Sequence, residues 1–174
     1  NDAGGIQSLG GAKVEHIVAD TTSDATQAPQ IVERTPSTNS DIVGSVGTGF
    51  SALTLLILPI TEKYEVPLVT NPINDHITNK GYEVVFEHVP KGSAFGQQQV
   101  DFINYLKNEE GIQIEKVAII YENSAYGQST ASGSLSIAED AGLEVVMNEP
   151  FPPNLSDASS LVTSLKNSGA DAIM

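Results

Sequence analysis

Cysteine and tryptophan are absent from the 174 residues, and basic side chains are scarce. Without a thiol there is no disulfide framework, no thiolate metal site and no cysteine nucleophile. Only 8 Lys and Arg stand against 22 Asp and Glu, a formal net charge of −14. Such a surface repels phosphate backbones and anionic membranes, which argues against nucleic acid as a partner. Long apolar runs are missing as well. The longest, Leu55–Ile60 (LLILPI), is far too short to span a bilayer. No stretch of these residues has the charged, apolar, then small pattern of an export signal. His16, His76 and His88 show no i, i+4 pairing and no ligand cluster, so no metal site is expected. No G-x-S-x-G elbow occurs. The acid pairs Glu109-Glu110 and Glu139-Asp140 fall at predicted helix ends, where acids are ordinarily solvated surface. No catalytic constellation emerges, and no cofactor is expected.

What the chain does have is alternation. Lys116–Thr130 (KVAIIYENSAYGQST) is its most informative stretch. Val117–Ile120 is short, apolar and β-branched, which predicts a buried strand. Asn123 and Ser124 are both good helix N-caps. Beyond them Ala131, Leu135 and Ala138 fall on one helical face, and Gly142 is a stop. In an open α/β sheet, ligands sit at strand carboxyl ends beside helix N-termini. Tyr126 at such a point either offers a flat face and a hydroxyl to a ligand or packs the helix onto the sheet.

In chain order, Asn1–Gly11 is a Gly-rich start, where Gly4-Gly5 could close an earlier helix. Lys13–Ala19 is a predicted strand, and a short helix is expected over Ala28–Arg34, stopped by Pro36. Asp41–Gly44 is a predicted short buried strand. It leads through the small-residue loop Ser45–Ser51 (SVGTGFS) into a helix reaching about Tyr64, with a kink expected at Pro59. Val66–Thr70 and Glu83–His88 are further extended segments, separated by the turn-rich Asn71–Lys80. Val89–Gly92 reads as a joint. A helix over Ser93–Asn108 is expected to bury Gln99, Phe102, Ile103 and Leu106. Leu143–Met147 is the next strand and Glu149–Asp157 a Pro-rich connection. The last helix shows Ala158, Leu161, Val162 and Leu165 at i, i+3, i+4 and i+7, Gly169 ends it, and Ala170–Met174 begins a strand. Strand–helix repetition of this kind predicts βαβ units and parallel sheets, in two α/β portions flanking Pro90. A final strand with no helix after it suggests a piece of a longer polypeptide.

Two strand-to-helix loops stand out, Ser45–Ser51 and Tyr121–Ser129, one on each side of the joint. Facing each other, they would line a cleft. Gly47 and Gly49 permit close backbone approach, and Thr48 sets a hydroxyl beside the exposed amides of a helix N-terminus, an arrangement suited to a carboxylate. The same glycines would also serve a tight turn and nothing more. SVGTGFS lacks the spacing of a dinucleotide fingerprint and the Lys of a P-loop.

The segments AGGI…GGAKVEHIVADTTSD, DIVGSVGTGFSAL, VPLVTNPINDHITNKGY, KVAIIYENSAYGQS and FPPNLSDASSLVTSLKNSGADAIM resemble, in order and along the whole chain, the type I periplasmic binding proteins of the leucine/isoleucine/valine branch. The resemblance implies an α/β fold of two Rossmann-like lobes with parallel sheets, only part of each present: 1–88 in lobe one and 89–174 in lobe two. It implies an exported solute receptor of an ABC importer, periplasmic or membrane-anchored outside the cell and monomeric. Such a receptor binds an amino acid or related amide without catalysis and delivers it to a membrane permease. By motif, Thr48 corresponds to the residue that holds the ligand's carboxylate, and Val46 and Gly47 to its pocket-lining neighbours. Asn71, Pro72, Ile73 and Asn74 correspond to a segment that holds the carboxylate and ammonium. This chain reads TNPIND there, where the family often has Ser-Pro-small-Ala-Thr, and the alignment needs a one-residue gap. Tyr126 corresponds to the lobe-two tyrosine that closes over the ligand. The family's acidic partner for the ammonium would follow Met174. Two other functions remain open on the residues: a sensor domain with the same fold, and a small flavodoxin-like enzyme, for which no nucleophile or phosphate loop is visible.

Overall fold

The alternation is present in the computed structural model, which describes residues 2–174, as two separate three-stranded sheets. The first half contains α1 (Gln27–Thr38), β1 (Ser45–Val46), α2 (Ser51–Lys63), β2 (Leu68–Thr70) and β3 (Val85–Glu87). The second contains α3 (Ser93–Glu109), β4 (Lys116–Glu122), α4 (Ala125–Asp140), β5 (Glu144–Phe151), α5 (Ser159–Ser168) and β6 (Ala172–Ile173). The strand orders are β1-β2-β3 and β5-β4-β6, and every pairing is parallel. Parallel neighbours need crossovers. Helices α2, α4 and α5 supply three of them, while β2 reaches β3 through the irregular stretch 71–84.

Each sheet has its own apolar cluster. Ile57, Leu58, Leu68, Ile77 and Val85 form the first, so the irregular crossover is pinned by a fully buried side chain of its own, Ile77. Val100, Ile103, Ile114, Val117, Ala138 and Leu143 form the second. Central strand β4 buries Val117, Ala118 and Ile119 in succession, as a strand covered on both faces must. Helices α3 and α4 cross at Gly96 and Gly133. A Cβ on Gly96 would lie 2.6 Å from the Gly133 carbonyl oxygen.

Several predicted elements differ. Lys13–Ala19 enters neither sheet, and Val18 is 90% exposed. The strand predicted at Asp41–Gly44 lies later, at Ser45–Val46, and Val43 is solvent-facing. Pro36 does not stop α1 but sits inside it. The Arg34 and Thr35 carbonyls near it accept the Thr38 hydroxyl, which supports the last turn. Helix α3 buries Gly96, Val100 and Ile103, and Phe102 is turned out to stack on Tyr105. Strand β5 runs on to Phe151 through residues expected to be a connection. Gly4 and Gly5 adopt positive φ ahead of a single 3-10 turn, Gln7–Leu9, closed by an Ile6–Ala12 bridge. Asn1 lies outside the described residues.

Aspartates fasten three of the elements. Asp24 Oδ1 accepts the Thr26 and Gln27 N–H groups at the start of α1. Asp157 Oδ1 accepts the Ser159 N–H ahead of α5. Asp171 Oδ2 accepts the Glu115 and Lys116 N–H groups at 2.9 Å each, tying the approach to β6 onto β4. Hydrogen bonds to the charged form hold the Asp171 carboxyl below the usual carboxylate range, Glu115 contributing most and Lys116 next. A lowered folded-state pKa adds stability above the unfolded value and loses it as pH falls through the folded one. Asp171→Ala is therefore expected to lower the urea midpoint at neutral pH. Its deficit against the wild type should shrink as the pH is taken below the carboxylate range, and a deficit independent of pH would contradict the role.

Candidate functional site

Strand β1 ends at Val46, whose side chain is 89% exposed, and the chain then turns sharply toward α2. Gly47 stands at φ 134°, a conformation that side-chain-bearing residues rarely adopt, and its N–H donates to the Val69 carbonyl of β2. The loop is thereby fixed to the end of the neighbouring strand. The Thr48 hydroxyl donates to the Phe50 carbonyl at 3.1 Å and lies 2.9 Å from the Thr54 hydroxyl. Thr54 is fully buried one turn into α2, and its Oγ1 is 3.4 Å from that of Thr70, the last residue of β2. Three hydroxyls thus run inward from the α2 N-terminus to the β2 end. The first-turn amides of α2 have no acceptor within the helix and make this end electropositive.

Asn71, next after Thr70, is exposed, whereas Pro72, Ile73 and Asn74 are buried. Here the first half meets the second. The Ile73 carbonyl accepts the Gly92 N–H, and Asn74 Nδ2 donates to the Ala125 carbonyl in the first turn of α4. Asn74 Oδ1 accepts the His76 N–H at 2.9 Å. Asp75 N–H donates to the Ser129 hydroxyl at 3.1 Å, and Asp75 Oδ1 accepts the Ser93 N–H at 3.2 Å. Gly92 must be small, since a Cβ there would lie 2.7 Å from Ser129 Oγ and 3.0 Å from the Ile73 oxygen. Asn74→Ala would strip partners from two backbone groups at this junction. It is expected to destabilise by about 1–3 kcal/mol, read as a lowered denaturant midpoint. An unchanged midpoint would show the junction to be dispensable.

Tyr126 is the second residue of α4, beyond the Ser124 cap, whose hydroxyl accepts the Gly127 N–H. Gly127 lets the helix start lie against the end of β4: a Cβ there would fall 2.0 Å from the Glu122 carbonyl oxygen. The Tyr126 side chain is 51% exposed and borders an open groove of about 290 Å³ with Phe95, Gln99, Tyr121, Glu122 and Phe151. The groove is aromatic on its walls, with one carboxylate and one amide.

The structure thus joins Asn74 directly to the α4 turn that holds Tyr126, and joins Thr48 through Thr54 to the residue preceding Asn71. No hydrogen bond among the described residues links Thr48 to Tyr126. Among the described residues, the Thr48 hydroxyl is bonded to the Phe50 carbonyl and the Thr54 hydroxyl rather than to a base. Among the described residues no group of three or more His, Asp or Glu side chains is placed to hold a metal ion.

Sequence reasoning passed over Thr54, Thr70 and Glu87. A threonine inside the apolar run SALTLLILPI was the available signal for Thr54, since a polar group there needs a buried partner. Glu87 ends β3 with Oε1 buried and without a hydrogen-bond partner among the described residues. Burial pushes its carboxyl above the usual range, against the opposing pull of the Lys91 ammonium and the Thr78 hydroxyl.

The comparisons with known proteins agree with one another. The profile described as "Periplasmic binding protein" matches residues 1–174. Leu/Ile/Val-binding protein homolog 7 of Brucella suis is 32% identical over 178 aligned positions, covering 100% of this chain and 43% of its own length. The isoleucine complex of the branched-chain amino acid transporter substrate-binding protein LivJ from Streptococcus pneumoniae is 27% identical. It superposes with a TM-score of 0.78, covering 99% of this chain and 46% of that one. A solute-binding protein of an ABC transporter from R. palustris, in complex with 4-hydroxybenzoate, shares the fold with a TM-score of 0.79 at 22% identity, covering 95% of this chain and 43% of that one. The chain spans less than half the length of each of these relatives.

Proposed function

The chain belongs to the periplasmic binding protein family, and from that premise we propose that it forms the ligand-gripping part of an exported solute receptor serving an ABC importer. Its α/β architecture with two parallel sheets is that of the type I members. The division we propose places residues 1–88 in one lobe and 89–174 in the other, with the ligand between them. Thr48 and its neighbours Val46 and Gly47 receive a carboxylate at the α2 N-terminus. The exposed Asn71, with the backbone of Pro72 and Ile73, borders the same side. Tyr126 covers the ligand from the second lobe. Asn74 acts at the junction of the lobes, because both ends of its amide are already engaged.

The observation that supports this reading best is the bond from Asn74 to the Ala125 carbonyl. It brings the loop at the carboxyl end of β2 against the helix turn that presents Tyr126, as a cleft shared by two sheets requires. The ligand class we propose is a small carboxylate, foremost a branched-chain amino acid, bound without chemical change. Closure follows because only the closed form lets one ligand touch both lobes. No helix among the described residues is long and apolar enough to cross a membrane.

The test is titration calorimetry of the full-length protein with L-leucine, L-isoleucine and 4-hydroxybenzoate, followed by chromatography of the recovered ligand. Saturable binding of at least one probe, recovered intact, is the expected result. Conversion of a probe, or no binding of any, would count against the reading.

A further inference from the structure

The three hydroxyls at the α2 N-terminus have a direction, and the direction follows from counting protons. Each hydroxyl has one proton to give and two lone pairs to receive. A threonine in a helix commonly gives its proton to the carbonyl four residues back. For Thr54 that carbonyl belongs to Phe50, which already accepts the Thr54 N–H at 3.0 Å and the Thr48 hydroxyl at 3.1 Å. Both of its lone-pair directions are taken. The Thr54 proton must go to another hydroxyl, and Thr48 at 2.9 Å is the nearer, with Thr70 at 3.4 Å. Thr54 is fully buried and Thr70 nearly so, so water cannot substitute for either. With the Thr48 proton given to the Phe50 carbonyl, the sense of the chain is Thr70 to Thr54 to Thr48, and the last proton is directed away from the core.

We propose that Thr54 is a positioning residue for ligand binding: by donating from within the core to Thr48 Oγ1, it keeps the Thr48 proton available to an incoming carboxylate. The inference rests on the reading of Thr48 as the carboxylate contact. In this structure the Thr48 proton lies on the Phe50 carbonyl, and a carboxylate at the α2 N-terminus competes for it as the stronger acceptor. The Thr54 donation remains in place during that exchange and polarises Thr48 toward the anion. Were the chain reversed, the Thr48 proton would be held inside and only its lone pairs would face the ligand, repelling a carboxylate. Thr54 thus sets the sign of charge that Thr48 prefers without touching the ligand.

The experiment uses the full-length protein, with L-leucine, L-isoleucine and 4-hydroxybenzoate as calorimetric probes. Valine matches the shape of threonine without the hydroxyl. Thr54→Val is expected to weaken the tightest probe roughly threefold to tenfold, and Thr54→Ser to restore wild-type affinity. In a Thr48→Ala background, Thr54→Val is expected to add no further loss, because the two hydroxyls act in series. Wild-type affinity in Thr54→Val, with Thr48→Ala weakened, overturns the positioning role and leaves the Thr48 contact standing. An equal loss from Thr54→Val with and without Thr48 also overturns it, since packing alone would do that. Wild-type affinity in Thr48→Ala, or binding of no probe, removes both readings together. Should Thr54→Val not fold, Thr70→Val interrupts the same chain one hydroxyl earlier. A smaller loss in the same direction supports the relay, and no loss overturns it.

Discussion

Gly133→Ala is expected to destabilise the second half of the chain by about 1–2 kcal/mol net and to lower the denaturant midpoint accordingly. Alanine is the better helix former by about 1 kcal/mol, so propensity alone predicts the opposite sign. Sterics decide. The added Cβ would lie 2.3 Å from Ser93 Cα and 2.7 Å from the Ser93 carbonyl oxygen, both backbone atoms. Carbon atoms rest about 3.5–4.0 Å apart, so α3 and α4 would have to separate by more than an ångström along their crossing. Overpacking of this kind typically costs about 1–3 kcal/mol and occasionally more, and here no side chain can swing aside to relieve it. The shift would also reach the junction between the two halves of the chain, because Ser93 donates its N–H to Asp75. Gly49→Ala is the control. Its φ is not positive and nothing lies within 4 Å of its built Cβ, so the midpoint should not move. An unchanged midpoint in Gly133→Ala would mean that the helices do not cross as described.

The second large effect falls on binding. Thr48→Ala is expected to weaken a carboxylate ligand by about 1.5–3 kcal/mol, roughly tenfold to over a hundredfold in affinity. The loss removes a charge-assisted hydrogen bond at a helix end that already favours an anion. Thr48→Ser keeps the hydroxyl and is expected to stay close to wild type. Calorimetry with L-leucine, L-isoleucine and 4-hydroxybenzoate reads both, and equal affinity in Thr48→Ala and wild type would contradict the assignment.

Much of this arrangement was legible in the sequence, for local reasons. The β4–α4 turn follows from a β-branched run and two candidate N-caps, Asn123 and Ser124, of which Ser124 accepts the Gly127 N–H. The parallel character of both sheets follows from the strand–helix alternation. Where the structure departs, the deciding partner is distant in sequence. The Lys13–Ala19 pattern favours a strand, but neither sheet takes the segment up. On α3, counting large apolar residues points to Phe102 as well as Ile103, whereas the buried stripe is Gly96, Val100 and Ile103, with Gly96 against Gly133. Periodicity weighs side chains by hydrophobicity and does not see that a glycine is needed where two helices cross. Pro36 is tolerated within α1 because it falls in the last turn, where its missing N–H removes a single helical bond, the one to Val32.

The candidate site divides in the same way. Thr48 between two glycines is visible as a motif. Its dependence on Thr54 and Thr70 is not, because those three residues meet only when α2 lies across the ends of β1 and β2. Asn74 could be placed in a turn-rich loop, but its bond to Ala125, 51 residues onward, belongs to the folded state alone. Glu87 gives no sequence signal. A carboxylate at the end of a short strand is ordinarily solvated, and its burial depends on the stretch containing Asp75 and Thr78 folding back beside it.

The claim that ties these features together is that one ligand is held from two lobes, by Thr48 on the first and by Tyr126 on the second. Stopped-flow binding of the tightest probe to full-length Thr48→Ala and Tyr126→Ala tests it most directly. On that claim Tyr126 would meet the ligand only on closure, so its loss is expected to raise the dissociation rate and leave association nearly unchanged. Thr48 would meet the ligand already in the open form, so its loss is expected to weaken the first encounter as well. Equal slowing of association by both variants, or wild-type rates in either, would contradict a ligand shared between the two lobes.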